Sequence, residues 1–148
     1  MIIADRFTVR APIAKTWDFL VDIPTMSACI PGVEQVKEES PGHYSGVVKV
    51  KVGPIGVAFG GSMEMVEVEP PRRILINAEG KDRLTGSTVT ARMTAQLEPQ
   101  PDDATAVTFE MDVMLRGRLG QLGGAVVQAT AKLITRQFAT CVASRVES

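Results

Sequence analysis

Apolar and polar side chains alternate at every second position through most of this chain. Residues 2–10 place Ile3, Phe7 and Val9 on one side and Arg6, Thr8 and Arg10 on the other, the pattern of a strand buried on one face. Asp5 interrupts the apolar side. Similar β-rich runs fill residues 33–39, 44–52, 57–68, 73–81, 87–97 and 105–115. Pro41-Gly42, Gly53-Pro54, Pro70-Pro71, Thr85-Gly86 and residues 99–103 separate them. Links this short join antiparallel neighbours, so seven antiparallel strands are expected.

Two regions follow a helical period instead. Pro12 opens a segment over residues 14–21 with Trp17, Leu20 and Val21 on one face; Pro24 interrupts it, and a second short turn over residues 25–30 ends at Pro31-Gly32. Near the other end, Leu119, Leu122, Val126, Leu133, Ile134, Phe138, Cys141 and Val142 recur at three- and four-residue steps, while Gln121, Gln128, Lys132 and Thr135 trace a polar stripe. One long helix over residues 117–146 is predicted. Gly117, Gly120, Gly123 and Gly124 crowd its start, where each costs up to ~1 kcal/mol against Ala in a helix interior. They read either as close packing against the sheet or as a soft, deformable doorway. The order strand, two short helices, six strands, long helix predicts an α+β fold, with a curved seven-stranded antiparallel sheet wrapped around the C-terminal helix.

Parity along the strands predicts the inner surface. Tyr44, Val48, Val50 and Val52 share one side, as do Val57, Phe59, Met63 and Met65, then Val89, Met93 and Leu97, then Val107, Phe109, Met111 and Val113. Methionine tolerates irregular apolar shapes, so this face reads either as core or as the lining of a ligand space. Asn77 and Glu79 fall on the outer side. Asp5 is expected in water near a strand end, the other reading being a polar handle for a ligand headgroup.

Composition narrows the chemistry. A chain of 148 residues with 45% hydrophobic content suits one domain, over residues 1–148, with its own core. Lys and Arg total 16 against 17 Asp and Glu, which leaves no electrostatic footprint for nucleic acid. The only histidine, His43, sits in the Pro41-Gly42-His43 turn, too little for a hydrolytic triad or a zinc site. Cys29 and Cys141 stand far apart in sequence and read as buried, unpaired thiols; with no signal-peptide pattern in MIIADRFTVR, a reduced cytoplasmic setting is expected. No apolar run approaches the ~20 residues of a membrane span, so any membrane contact would be peripheral. The glycines at 117–124 lack phosphate-loop spacing. Ile55 marks an apolar tip after Gly53-Pro54, and Lys49, Lys51, Arg72 and Arg73 would anchor such a tip to a surface if they gathered on one edge; the loop folding back over the sheet is the other reading.

Local motifs carry a family resemblance: Ala11-Pro12, Trp17 and Asp22 before Pro24; Cys29-Ile30-Pro31-Gly32-Val33-Glu34; Lys51-Val52-Gly53-Pro54-Ile55; Pro70-Pro71; Gly117-Arg118-Leu119 and Leu122-Gly123. In this order the chain resembles the carbon monoxide dehydrogenase G-subunit (CoxG) family of the helix-grip superfamily, which includes START and Bet v 1 domains. The resemblance implies a non-enzymatic accessory of a molybdenum hydroxylase such as carbon monoxide dehydrogenase. It would bind a hydrophobic molecule, a quinone, with no covalently bound cofactor, and link the dehydrogenase to the membrane quinone pool. Its place would be cytoplasmic, peripheral at the inner face of the membrane. Many members carry a C-terminal anchoring tail; this sequence stops at Ser148, as either a tail-less member or a trimmed chain would. The apolar site would comprise Phe59, Met63, Met65, Met93, Phe109, Met111, Val113, Leu119, Leu122 and Val126. The alternative is a recruitment or maturation module for the dehydrogenase without small-molecule cargo. An enzyme is the remaining option, since some helix-grip relatives are cyclases or hydrolases.

Overall fold

The computed structural model describes residues 1–147. All seven expected strands form: β1 (Ile2–Val9), β2 (Val33–Ser40), β3 (His43–Val52), β4 (Ile55–Glu69), β5 (Arg73–Asp82), β6 (Ser87–Gln100) and β7 (Ala104–Arg116). They make one antiparallel sheet in the order β1-β7-β6-β5-β4-β3-β2. The hairpin links keep sequential strands adjacent from β2 to β7, and β1 closes on the last strand, with Ile3 opposite Met111. Between β1 and β2 run the two short helices, α1 (Ile13–Val21) and α2 (Ile23–Met26), and a 3-10 turn over Ser27–Cys29. Pro24 lies in the first turn of α2, where its missing N–H leaves no helical bond unmade.

Three glycines pair across the middle of the sheet, Gly46 with Gly61 and Gly61 with Gly80. A Cβ on Gly61 would overlap the Glu79 carbonyl, and one on Gly80 would sit 3.1 Å from Phe59 Cβ. Glycine here permits the close backbone approach of a strongly bent sheet.

The last helix, α3 (Gly124–Val146), begins seven residues later than its period predicts. Leu119–Gln121 form a separate 3-10 turn, and Leu122 and Gly123 are extended. The chain must swing from β7 onto the helix, and two of the glycines serve that swing. Gly117 has φ +77°, and a side chain there would overlap the Gly86 carbonyl; a Cβ on Gly120 would lie 2.8 Å from the Leu115 oxygen. The stripe of α3 is also displaced from the expected one. Val127, Val142 and Val146 are buried, Val126, Ile134, Phe138 and Cys141 half-buried, while Leu133 is 57% exposed. α3 packs on β1, β3, α1 and the 27–29 turn, bridging the two sides of the curved sheet.

The cysteines are joined, contrary to the expectation of two separate thiols. Cys29 and Cys141 form a disulfide with Cα atoms 5.3 Å apart. Distance along the chain concealed the pairing, because α3 returns over the 27–29 turn and brings its last turns beside it.

Candidate functional site

The apolar interior is split. One cluster gathers Val9, Trp17, Leu20, Ile74, Ile76, Leu97, Val107, Val142 and Val146 toward the C-terminal end of α3. The other gathers Val52, Val57, Leu119 and Val127 at its start. Between them the inner face of the sheet is paved with small side chains, Gly46, Gly61 and Gly80 in one row and Ala78 and Ala91 in the next. That second row continues through Met63 on one side and Val113 on the other. A further row sets Met65, Ile76, Met93, Met111 and Ile3 side by side.

All ten residues assigned to the apolar site fall in this interior, and they divide among its parts. Met63, Met65 and Met93 pack against the first cluster; Phe59, Leu119, Leu122 and Val126 belong with the second. Phe109, Met111 and Val113 join neither. Leu119 and Leu122 reach the site from the turn before α3, not from the helix itself. Met63, Met65, Met93, Met111 and Phe59 stay half-exposed although they face inward. Solvent therefore reaches the concave surface. Two depressions open on the surface: a polar one of about 380 Å³ between Glu69, Arg72, Arg73 and Glu98, and one of about 470 Å³ over β3 to β5, lined by Ser45, Ser62, Glu64, Asn77 and Glu79 together with Tyr44, Met63 and Ala78.

Two polar groups edge the apolar surface. Asp5 lies in the middle of β1 opposite Phe109, not at a strand end; it is half-buried, and its Oδ1 accepts the Arg6 N–H at 2.7 Å. Tyr44, 8% exposed, begins the row of Met63 and Ala78. Burial, then its hydrogen bond to the Glu38 carboxylate, then the nearby charges of Glu38 and Asp22, hold its phenol above the ordinary value.

A buried polar lock escaped sequence reasoning. Asp82 Oδ1 accepts the Leu84 N–H, and the Thr85 hydroxyl lies 2.9 Å from Asp82 Oδ2 and 2.8 Å from Ser87 Oγ. Ser87 Oγ in turn accepts the Leu119 N–H at 3.1 Å. This ties the β5–β6 turn to the turn preceding α3. Its local signal was an Asp, a Thr and a Ser around the Thr85-Gly86 turn, a spacing suited to side-chain bonds with the backbone.

Ile55 folds back into the second cluster, so the β3–β4 turn presents no apolar tip. The basic residues thought to support one do not gather. Lys49 pairs with Glu34 at 3.4 Å and Arg73 with Glu67 at 2.8 Å, while Lys51 and Arg72 lie toward opposite ends of the sheet. His43 is exposed at the start of β3. Among the described residues no group of three or more His, Cys, Asp or Glu could hold a metal ion, and no helix is long and apolar enough to cross a membrane.

Solved structures repeat this architecture at low identity. A conserved protein from Geobacillus kaustophilus superposes with a TM-score of 0.91 at 17% identity, covering 99% of this chain and 95% of its own. A START superfamily protein from Mycobacterium smegmatis gives 0.74 at 13% identity, covering 99% and 97%. The Zhui aromatase/cyclase from Streptomyces sp. R1128 gives 0.72 at 17% identity, covering 99% and 93%. At these identities the likeness shows the fold, a START-like helix grip. No protein of curated function matches the sequence. The model of one family spans nearly the whole chain, residues 6–147, and the protein therefore belongs to the carbon monoxide dehydrogenase G-subunit (CoxG) family.

Proposed function

We propose that this domain is a non-enzymatic carrier for a hydrophobic molecule of the quinone class, held between the sheet and α3. It would serve a molybdenum hydroxylase such as carbon monoxide dehydrogenase and link it to the quinone pool of the membrane. The observation that carries the reading is the divided interior. Two packed clusters stand apart, and between them the sheet carries a band of small residues, Gly46, Gly61, Gly80, Ala78 and Ala91, flanked by Met63 and Val113. A flat apolar ring laid on that floor would touch Met93, Met111 and Phe109, and the flexible methionines would adapt to it. Asp5 and Tyr44 stand at its edges as candidate partners for polar ring substituents. Family membership supports the hydroxylase as partner.

Recognition of this kind draws on burial of apolar area, on the order of 25 cal/mol per Å² removed from water. It requires no acid–base pair. Organic extraction of the purified protein, followed by mass spectrometry, and titration of the empty protein with a short-chain quinone test the carrier reading. Recovery of a bound quinone, or saturable one-to-one binding, is expected. Repeated recovery of empty protein that binds no quinone would leave the alternative, a recruitment or maturation module without cargo.

A further inference from the structure

The near-zero net charge hides a polarity along the molecule. The β3–β4 turn, the β5–β6 turn and the chain leaving β7 emerge at one end of the sheet and converge on Leu119, which bonds Ser87 and packs with Val52 and Val57. Every exposed charge on these segments is positive: Lys51, Lys81, Arg83, Arg116 and Arg118. Across residues 51–60, 80–90 and 113–125 the sole carboxylate is Asp82, which is buried and occupied by Leu84 N–H and the Thr85 hydroxyl. Exposed acids lie beyond these segments, Glu34, Glu79 and Asp112 along the sheet and Glu38, Glu39, Glu69, Glu98, Asp102 and Asp103 toward the opposite end, where Lys37 and Arg72 are exposed as well.

The basic end also carries an apolar projection. Leu84, at the tip of the β5–β6 turn beside Arg83, is 96% exposed. The Asp82–Thr85–Ser87 lock holds this turn in shape, so the leucine is presented on a fixed support.

We propose that this end docks on an anionic lipid surface, its five cations facing the headgroups and Leu84 entering the interfacial layer. A side chain that projects so fully suits a fluid layer, which needs no preformed pocket. The charge complementarity is one-sided, and no Phe, Trp or Tyr is exposed on these segments to stack on nucleic-acid bases. The docked end is also where α3 begins. Nothing lies within 4 Å of a Cβ built on Gly123, and only Met1 Cε, at 3.8 Å, approaches one on Gly124. Transfer of cargo at this end rests on the carrier reading; docking rests on charge and Leu84 alone.

Co-sedimentation of the full chain with vesicles tests the proposal, using phosphatidylcholine alone and an equimolar mixture with phosphatidylglycerol. The wild-type protein is expected to bind the mixed vesicles, not the neutral ones, and to release in high salt. Lys81→Glu/Arg83→Glu/Arg118→Glu should lower the partition by about 100-fold, and Leu84→Ser several-fold. Unchanged melting temperatures in both variants confirm that folding is intact. Failure of the wild type to bind mixed vesicles, equal binding by the triple variant, or tighter binding to duplex DNA than to vesicles would overturn docking. Quinone uptake from detergent micelles, measured on the same samples, reports the carrier reading separately and should persist in the triple variant.

Discussion

Cys29 and Cys141, separated by 112 residues in sequence, are bonded with their Cα atoms 5.3 Å apart. The bond fastens the turn after α2 to the last turns of α3, at the end where Trp17, Leu20, Val142 and Val146 share one cluster. A loop of this length should stabilise the fold chiefly by restricting the unfolded chain. Reduction, or Cys29→Ala/Cys141→Ala, is expected to lower unfolding stability by about 2–4 kcal/mol. Urea unfolding with and without reductant measures it, and coincident curves would contradict it.

Ser87 is fully buried and accepts the Leu119 N–H, so Ser87→Ala leaves that donor without its partner. Such an orphaned group costs about 1–3 kcal/mol. The loss should appear in thermal unfolding, accompanied by faster hydrogen exchange at the Leu119 amide. Protection equal to wild type would mean that another group holds this turn.

Tyr44 is the single tyrosine, so the ultraviolet absorbance of tyrosinate reports it alone. Its folded value lies above the ordinary 10.0, and the fold therefore favours the neutral phenol. The associated stability is complete below pH 10.0 and is lost as pH rises through the folded value. Titration of folded protein should show tyrosinate forming later than in urea-unfolded protein, and Tyr44→Phe should remove this contribution to alkaline destabilisation. A folded midpoint at or below the unfolded one would refute the assignment.

What sequence reading could reach was set by the range of each interaction. Strand alternation is local, and the inward placement of Met63, Met93, Phe109 and Met111 followed from parity. The start of α3 was misplaced because Leu119 and Leu122 continue the helical period, while the reason for breaking it, contact of Gly117 with the β5–β6 turn, comes from a distant strand pair. The disulfide, the Ser87–Leu119 bond and the charged poles likewise depend on which loops the sheet order brings together. Asp5 was recognised on the apolar side, but its pairing opposite Phe109 required knowing that β1 closes on β7.

Titration of wild-type and Ala91→Leu proteins with a short-chain quinone tests the proposed binding space most directly. Ala91 forms part of the small-residue floor, between Ala78 and Val113. A leucine there should occupy the space and weaken binding by at least about tenfold, with folding retained by circular dichroism. Saturable binding by the wild type that is lost in the variant is the predicted result. Binding of equal strength by both, or by neither, would contradict a quinone site between the sheet and α3.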